Sequence, residues 1–376
     1  MTQVLITGAN GFLGRNLQLH LAERADVEVL TLTRADTREA WRDRVQRADF
    51  IFHLAGVNRP QDPADFERGN ADLTRRLADE LSRLYDATGR SVPVAYTSST
   101  QAAMDNPYGR SKRAAEEALF DLSRQRGLPV HVFRLPNVFG KWCRPNYNSA
   151  VATFCHNIAR GLPIQIHDPA ALLRLVYVDD LMATLLGALD GRVAALPTGE
   201  LATTGPIYES TVGEVAECIR GFHAGRQTLQ IDRVGTGLTR ALYATYVSAL
   251  PVEGFAYDLP MHTDARGVFV EMLKTPDTGQ FSFLTAAPGV TRGGHYHHTK
   301  TEKFLVIRGR ARFRFRHMLT GETYALDTTG EVPQVVETVP GWTHDITNTG
   351  PEDMVVMLWA NEIFDRARPD TYACPV

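Results

Sequence analysis

The stretch Val4-Leu-Ile-Thr-Gly-Ala-Asn-Gly-Phe-Leu-Gly14 decides the fold of the first part of the chain. Its apolar beginning predicts a short buried strand, and Leu17 and Leu21 follow the glycines at helical spacing. A strand, a glycine-rich turn and a helix, in that order, form the context in which a glycine triplet binds a dinucleotide. Because all three parts are present at the start of the chain, the triplet is a strong signal.

Each glycine of the triplet has a predicted task. Gly8 permits the tight turn, Gly11 lets the backbone approach a pyrophosphate, and Gly14 lets the helix pack closely on the strand. The free N–H groups at the start of the helix then face the phosphates. The other residues predicted to contact the cofactor are Asn10, Phe12, Leu13, Leu54 and Ala55.

The end of the second strand predicts which dinucleotide is bound. The run from Val27 to Leu32 alternates like a strand and ends in Thr33-Arg34. An NAD site commonly has an acidic residue there to hold the ribose 2′-hydroxyl, whereas a guanidinium can pair with a 2′-phosphate. The sequence therefore favours NADPH. The alternative is that Arg34 is an ordinary solvated side chain.

Three later apolar runs extend the predicted sheet. They span residues 50–55, 92–96 and 130–134, and helical patterns separate them. Strands that alternate with helices predict a Rossmann-type, doubly wound parallel α/β sheet, whose site lies at the carboxyl ends of the strands.

Tyr108 and Lys112 are the predicted catalytic pair at that edge of the sheet. Residues four apart lie one turn apart on the same helix face. We expect the Lys112 ammonium to stabilise the phenolate, to bring the pKa of Tyr108 nearer to neutrality, and to hold a ribose hydroxyl. The hydroxyls of Thr97-Ser98-Ser99-Thr100 end the preceding strand and can converge with Tyr108 on one carbonyl.

Size and composition restrict the other possibilities. A chain of 376 residues is long enough for two domains. The net charge of -3 gives no reason to expect nucleic acid or an anionic membrane as a partner. The cysteines form no C-x-x-C pair and no apolar run is long enough to span a bilayer, so we expect a reduced, cytoplasmic protein.

A second domain is predicted beyond Pro251 and Gly254. Helical patterns give way there to short β-rich runs with frequent turn residues. The predicted domains are residues 1–245, which bind the dinucleotide, and residues 246–376, which bind a metal.

Four side chains of the second domain are the predicted metal ligands. His295 and His297 are two apart on a predicted strand and therefore face the same side, Glu302 begins the next strand, and His344 follows later. Three imidazoles and one carboxylate suit Zn, Fe, Mn or Ni, and we expect one divalent ion, Zn, per chain. A histidine-rich loop exposed to solvent is the alternative.

The spacing Gly289-x5-His295-x-His297-x4-Glu302-x6-Gly309 is similar to the first motif of the cupins, which are small double-sheet jelly-roll barrels. The segment Pro340-Gly341-Trp-Thr-His344 is similar to the second motif, although its proline stands directly before the glycine instead of two residues earlier. His298 and Lys303, beside the ligands, are candidate bases.

Residues 1–245 resemble the extended short-chain dehydrogenase/reductases that act on nucleotide sugars. The shared motifs are Thr7-Gly-Ala-Asn-Gly-Phe-Leu-Gly14, His53-Leu-Ala55, Ser98-Ser99, Tyr108-x-x-x-Lys112, Asn137-Val-Phe-Gly140 and Arg174-x-x-x-Val178-Asp179-Asp180. The chain departs from that family between Arg34 and Asp49, where it is too short for the additional strand and the acidic residue that contacts the adenine.

That resemblance implies roles for individual residues. Tyr108 is the expected acid/base and Lys112 orients the ribose. Ser99 holds the substrate oxygen, with Ser98 and Thr100 as alternatives. Asn137 and Arg174 fall where such enzymes contact the nucleotide sugar.

Over its whole length the chain resembles bifunctional UDP-sugar epimerase/reductases of the CapF type, in which such a reductase is fused to a cupin. The resemblance implies epimerisation at C3 of UDP-2-acetamido-2,6-dideoxy-4-hexulose by the cupin and reduction of C4 with NADPH. The product would be UDP-2-acetamido-2,6-dideoxy-L-talose, on the route to UDP-N-acetyl-L-fucosamine for capsule or O-antigen. A homodimer is also expected.

Two other functions stay open from the sequence. One is an NADP-dependent sugar reductase whose cupin is only a dimerisation module. The other is an epimerase or dehydratase that retains its NAD throughout the reaction.

Overall fold

The computed structural model of the protein describes residues 1–195, 201–202, 204–255, 257–297, 300–318, 320–339 and 342–376. The chain forms two compact units: one comprises Met1–Ile219 with Arg240–Leu250, the other Arg220–Thr239 with Pro251–Val376. The domain bounds expected from the sequence, 1–245 and 246–376, stay a prediction. None of the described helices combines the length and the apolar character needed to cross a bilayer.

A parallel sheet is the centre of the first unit. Its described strands are β1 (Thr2–Thr7), β2 (Val27–Leu32), β3 (Phe50–His53), β4 (Val94–Ser99) and β5 (Val130–Leu135). They are arranged in the order β2-β1-β3-β4-β5, and every neighbouring pair is parallel. Leu5, Ile51 and Val94 are fully buried, as strands covered on both faces require. The predicted Rossmann-type sheet is confirmed.

Helices connect these strands. They are α1 (Phe12–Ala22), α2 (Arg38–Arg47), α3 (Ala64–Phe66), α4 (Leu73–Thr88) and α5 (Pro107–Arg126), with a π-helical turn (Glu67–Asp72) before α4 and a 3-10 turn (Thr100–Ala103) after β4. Leu77, Leu81 and Leu84 recur along α4 at helical spacing and pack into the core beneath the sheet. As its short length predicted, the fully described stretch between Arg34 and Asp49 contains α2 and no additional strand.

The start of α5 determines where the predicted catalytic pair stands. The side-chain oxygen of Asn106 accepts a hydrogen bond from the Gly109 amide at 2.8 Å, and Pro107 occupies the first turn. An Asn cap and a proline at this position are both favourable starts for a helix. The cap therefore holds Tyr108 in the first turn and Lys112 one turn later.

The chain then forms a small three-stranded sheet and further helices. These elements are β6 (Asn137–Phe139), α6 (Ala150–Ile158), β7 (Leu172–Tyr177), α7 (Val178–Leu189), β8 (Tyr208–Thr211), α8 (Val212–Thr228) and α9 (Gly237–Ser248). A capping box begins α8, because Glu214 N donates to Thr211 Oγ1 at 3.2 Å and Thr211 N donates to Glu214 Oε2 at 2.9 Å.

The second unit is built mainly from antiparallel strands. A 3-10 turn (Val252–Gly254) precedes β9 (Met261–Asp264), β10 (Gly267–Thr275), β11 (Gly279–Ala286), β12 (Thr291–Tyr296), β13 (Glu302–Arg308), β14 (Arg310–His317), β15 (Thr323–Thr329), β16 (Val335–Glu337), β17 (Trp342–Asn348), β18 (Met354–Ala360) and β19 (Tyr372–Ala373). Among the described residues they form two sheets, β16-β13-β18-β11-β10-β9 and β15-β14-β17-β12-β19.

Side chains from both of these sheets share one core. Phe304 of β13 and Phe313 of β14 meet edge to face, with ring centroids 5.8 Å apart, and Val356 and Ile346 pack in the same cluster. The predicted all-β character of this part of the chain is confirmed. Its assignment as a cupin stays a prediction.

Candidate active site and metal centre

The glycine-rich turn lies where the order of the parallel sheet reverses, between β1 and β3. Gly8 has a positive φ of 73°, and a Cβ on it would lie 2.7 Å from the backbone of Ala55. The Leu54 amide donates to the Thr7 carbonyl at 3.2 Å, which holds the two strand ends together. Ligands of open α/β sheets bind at such a reversal. The structure thus brings Gly8, Leu54 and Ala55 to one place.

Helix α1 packs directly against this turn. A Cβ on Gly14 would lie 2.4 Å from the Gly8 carbonyl oxygen, so only glycine allows this approach. Gly11 caps the helix without a side-chain hydrogen bond, and Phe12 and Leu13 form its first turn. Asn10 and Gly11 are exposed beside them. The first N–H groups of α1 are therefore available to an anion.

Arg34 is exposed just beyond β2, and no ion-pair partner of its guanidinium is found among the described residues. An acidic residue that sequence reasoning missed lies next to it. The carboxylate of Asp36 accepts from the amide and the hydroxyl of Thr33, both at 2.8 Å, and pairs with Arg44 at 2.8 Å. Hydrogen bonds from Thr33 hold the pKa of Asp36 below its usual range. Asp36 is thus engaged with Thr33 and Arg44, whereas the described part of the chain offers Arg34 no ion-pair partner.

Ser99, not Ser98, is the hydroxyl that meets Tyr108. The Ser99 side chain acts on the Tyr108 phenol in the direction that lowers its pKa. Ser98 instead donates to the buried carboxylate of Glu116, which also pairs with Arg134 at 2.6 Å. Consecutive residues of a strand point to opposite sides, which separates the two serines.

The expectation that Lys112 brings the pKa of Tyr108 nearer to neutrality is wrong. Burial raises the pKa of Tyr108, and the Ser99 side chain offsets only part of that rise. The Lys112 ammonium bonds to the Thr97 carbonyl at 3.0 Å and to the Tyr96 hydroxyl at 3.3 Å. Burial lowers the pKa of Lys112 to about 8. Tyr108 is therefore a neutral phenol at neutral pH, the form that donates a proton.

The two predicted sugar contacts lie on neighbouring strands of the small sheet. Asn137 begins β6 and is exposed, and Arg174 is exposed on β7, where it pairs with Glu209 at 3.3 Å. Leu175, next to Arg174, is the register partner of Asn137. Both side chains are accessible to a ligand.

The four predicted metal ligands of the second unit converge. One ligand atom from each of His295, His297, Glu302 and His344 lies within 4.8 Å of the others. His295 on β12 is the register partner of His344 on β17, which places their rings 4.8 Å apart. His297 Nε2 lies 3.2 Å from Glu302 Oε2. Three strands carry His295, Glu302 and His344, whereas His297, predicted to lie on the same strand as His295, directly follows the end of β12.

The chemistry of this cluster fits a divalent cation. Both ring nitrogens of His344 are buried without a hydrogen-bond partner, which is costly unless a metal binds one of them. Burial and the neighbouring His344 lower the pKa of His295 to about 4. Burial raises the pKa of Glu302, but His297 and His344 outweigh it and hold that pKa well below its usual range. His295 is thus a neutral imidazole and Glu302 an ionised carboxylate at neutral pH, which are the forms that bind a metal.

A cavity of about 320 Å³ opens beside the cluster. Its apolar lining includes Phe269, Leu284 and Phe313, and its basic lining includes Arg266, Arg292 and Lys300. Lys300 is 4% exposed and donates to Thr371 Oγ1 at 3.1 Å. Arg292 donates to the Thr285 carbonyl at 3.0 Å, and the described residues offer its guanidinium no ion-pair partner. The cavity therefore combines a metal-type cluster with cationic side chains.

The two candidate bases named from the sequence have different outcomes. Lys303 lies outside the cavity, because it follows Glu302 on β13 and points to the other face, where it pairs with Glu337. His298 lies outside the described residues, as do Pro340 and Gly341 of the second motif. Lys300, which sequence reasoning missed, is the lysine that reaches the cavity.

Comparison with known proteins agrees with both halves of this description. Residues 4–198 match the NAD dependent epimerase/dehydratase family, and residues 262–372 match the polysaccharide biosynthesis C-terminal domain. A UDP-2-acetamido-2,6-beta-L-arabino-hexul-4-ose reductase of Pseudomonas aeruginosa is 59% identical over 374 residues, which cover 100% of this chain and 99% of the relative.

Solved structures give the same result. The capsular polysaccharide assembling protein CapF of Staphylococcus aureus matches with a TM-score of 0.90 and 40% identity, over 99% of this chain and 100% of that one. A UDP-glucose 4-epimerase of Thermotoga maritima shares the fold over 66% of this chain and 98% of its own, with a TM-score of 0.55 and 19% identity. These matches confirm the resemblance to CapF-type proteins, and the chain is an enzyme of the NAD dependent epimerase/dehydratase family that carries a polysaccharide biosynthesis C-terminal domain.

Proposed function

We propose that the enzyme acts twice on one UDP-linked 4-keto-6-deoxy amino sugar. The second unit inverts C3 of UDP-2-acetamido-2,6-dideoxy-4-hexulose, and the first unit reduces C4 with NADPH to give UDP-2-acetamido-2,6-dideoxy-L-talose. The expectations of a homodimer and of a cytoplasmic location stay predictions.

The observation that carries the reductive step is the placement of Tyr108 beside Ser99, the last residue of β4, whose side chain acts on the pKa of the phenol. The hydroxyls of Tyr108 and Ser99 can both bond to the C4 keto oxygen of the substrate, because a carbonyl oxygen has two lone pairs. NADPH bound at the glycine-rich turn would supply the hydride to C4. Tyr108 then donates its proton to the developing alkoxide, and its raised pKa keeps that proton in place until the oxygen becomes basic. The relative from Pseudomonas aeruginosa is named for a reductase of such a ketone.

The cavity of the second unit supports the C3 step. The C4 ketone acidifies the C3 proton, so a base can remove it and leave the electron pair in an enolate. Proton return to the opposite face inverts C3 without any net redox change. Lys300 and Arg292 line the cavity as cations that can face the enolate oxygen and the diphosphate. Reduction of C4 afterwards removes the acidifying ketone and so fixes the new configuration.

The cluster of His295, His297, Glu302 and His344 would hold one divalent ion beside this cavity, with Zn expected from its ligand types. A bound ion there would supply positive charge next to the substrate oxygen.

The function is tested by incubating the full chain with the keto-sugar nucleotide and NADPH. We expect one NADPH to be oxidised for each sugar, and NMR of the product to show a hydroxyl at C4 and inverted configuration at C3. Conversion without net use of NADPH would instead indicate an epimerase or dehydratase that retains its cofactor. Reduction with C3 unchanged would leave the second unit without a catalytic role.

Cofactor preference is expected to depend on Arg34. In the Arg34→Glu variant a phosphate partner is lost and a repulsive charge is added, so NADPH should lose its advantage over NADH. One charge-assisted hydrogen bond contributes about 1.5–3 kcal/mol, so kcat/KM for NADPH relative to NADH should fall roughly 10- to 100-fold. Arg83→Glu, at an arginine that is 63% exposed on α4, is the matched control and should leave the ratio unchanged. Equal use of both cofactors by the unmodified enzyme would contradict the assignment.

A further inference from the structure

Residues 369–374, here called the strap, run along the edge of β12 next to the metal-type cluster. Tyr372 and Ala373 are the register partners of Tyr296 and His295. The Cys374 amide donates to the Gly294 carbonyl at 2.8 Å, and the rings of Tyr372 and Tyr296 stack with centroids 5.3 Å apart. The strap thus covers the strand that carries His295 and leads directly into His297.

Asp370 joins the strap to the cluster itself. His297 Nδ1 donates to the Asp370 carbonyl oxygen at 2.6 Å, and the Lys300 amide donates to Asp370 Oδ2 at 2.8 Å. Since Nδ1 carries the proton, Nε2 of His297 presents its lone pair to the side of Glu302, 3.2 Å away. One residue of the strap therefore determines both the tautomer and the orientation of a buried ligand.

The backbone of Asp370 has a shape that ordinary residues avoid. Its φ is +37°, in the left-handed region, which residues other than Gly, Asn and Asp rarely adopt. Such a conformation persists only where the surrounding contacts over-determine it. Here those contacts are the two hydrogen bonds to His297 and to the Lys300 amide. The unusual conformation of Asp370 directs its carbonyl oxygen at His297.

We propose that Asp370 is a positioning residue of the metal centre, and that the strap acts on the metal through His297. The inference rests on the metal site of the proposed function. Groups that orient a metal-bound imidazole typically change metal affinity about 10- to 100-fold when they are lost. A strap that merely covered the edge of β12 would change the stability of the protein but not the state of His297.

The test compares three substitutions in the full chain. Asp370→Val introduces a β-branched residue that disfavours positive φ and so displaces the carbonyl, whereas Asp370→Asn tolerates it. Asp370→Gly keeps the carbonyl in place but removes the carboxylate. We expect the dissociation constant for Zn²⁺, measured by competition with a chelator, to rise about 10- to 100-fold for the valine variant and to change less than about threefold for the other two. Asp353→Val, at an exposed residue of the same unit, is the control and should have no effect.

A second measurement tests the role of Asp370 directly, and it does so whether or not the protein binds a metal. ¹⁵N NMR of the His297 ring in chelator-treated protein should show the Nδ1-protonated tautomer in the unmodified, asparagine and glycine forms, and a mixture in the valine form. An Nε2-protonated His297 in the unmodified protein would overturn the inference, as would equal Zn²⁺ affinity in all variants. Absence of Zn²⁺ binding by the unmodified protein would refute the metal site of the proposed function, and the tautomer would still judge the role of Asp370.

Discussion

The Tyr108→Phe variant is expected to bind NADPH normally and to lose nearly all reduction of the C4 ketone. The change removes one oxygen atom and leaves the ring, which packs 5.5 Å from the ring of Phe66. Because general acids contribute about 10²–10⁴-fold, kcat for reduction should fall by that factor. Single-turnover loss of NADPH absorbance measures the chemical step, and NADPH fluorescence measures binding.

The matched control is Tyr85→Phe, which removes a phenol oxygen from a partly buried tyrosine packed against the core of the same unit. Its reduction rate should stay within about twofold of that of the unmodified enzyme, since surface and edge substitutions of this kind have small effects. Reduction at the full rate by Tyr108→Phe would mean that another group donates the proton. Loss of NADPH binding would mean that the variant has lost more than its proton donor.

The parts of this protein that could be predicted from sequence are those with local signals. The glycines of the first turn are three residues apart, and Tyr108 and Lys112 are four apart on one helix. His295 lies on β12, and His297 directly follows the end of that strand, two positions later. In each case a short spacing in a regular element determines which side chains share a face. The parallel sheet and the all-β second unit followed from the same kind of periodicity.

The missed features depend on residues far apart in the chain. Asp370 reaches His297 across 73 positions, and no spacing indicates that the two meet. The environment of Lys112 was misjudged for a similar reason. The helix spacing suggested that its ammonium would act on Tyr108. Instead, the ammonium bonds to Tyr96 and Thr97 of β4, and burial sets the pKa of Tyr108. Long-range contacts of this kind set pKa values and tautomers but leave no periodic trace.

Exchange of the C3 proton is expected to separate the chemistry of the two units. In heavy water without NADPH, the unmodified enzyme should replace the C3 hydrogen of the keto-sugar with deuterium, which NMR detects directly. Tyr108→Phe should exchange at the normal rate, because its change lies in the first unit. The double variant His295→Ala/His344→Ala should exchange at least about 100-fold more slowly, because it loses the ion whose positive charge would stabilise the enolate by several kcal/mol. Point variants are preferable to a cut chain, because residues 220–239 belong to the second unit and residues 240–250 to the first.

Mixing Tyr108→Phe with His295→Ala/His344→Ala tests the division of labour more directly than either variant does alone. Neither should make the reduced C3-inverted sugar alone, since Tyr108→Phe stops after the C3 step and the histidine variant does not begin it. Together with NADPH they should make it, because the inverted ketone leaves one molecule and is reduced by the other. The yield should rise with the concentration of either variant, as expected for an intermediate that diffuses between them. If the histidine variant alone exchanges C3 and makes the inverted product, the C3 step does not depend on the metal-type cluster. The cluster of His295, His297, Glu302 and His344 would then serve the stability of that unit and not its chemistry.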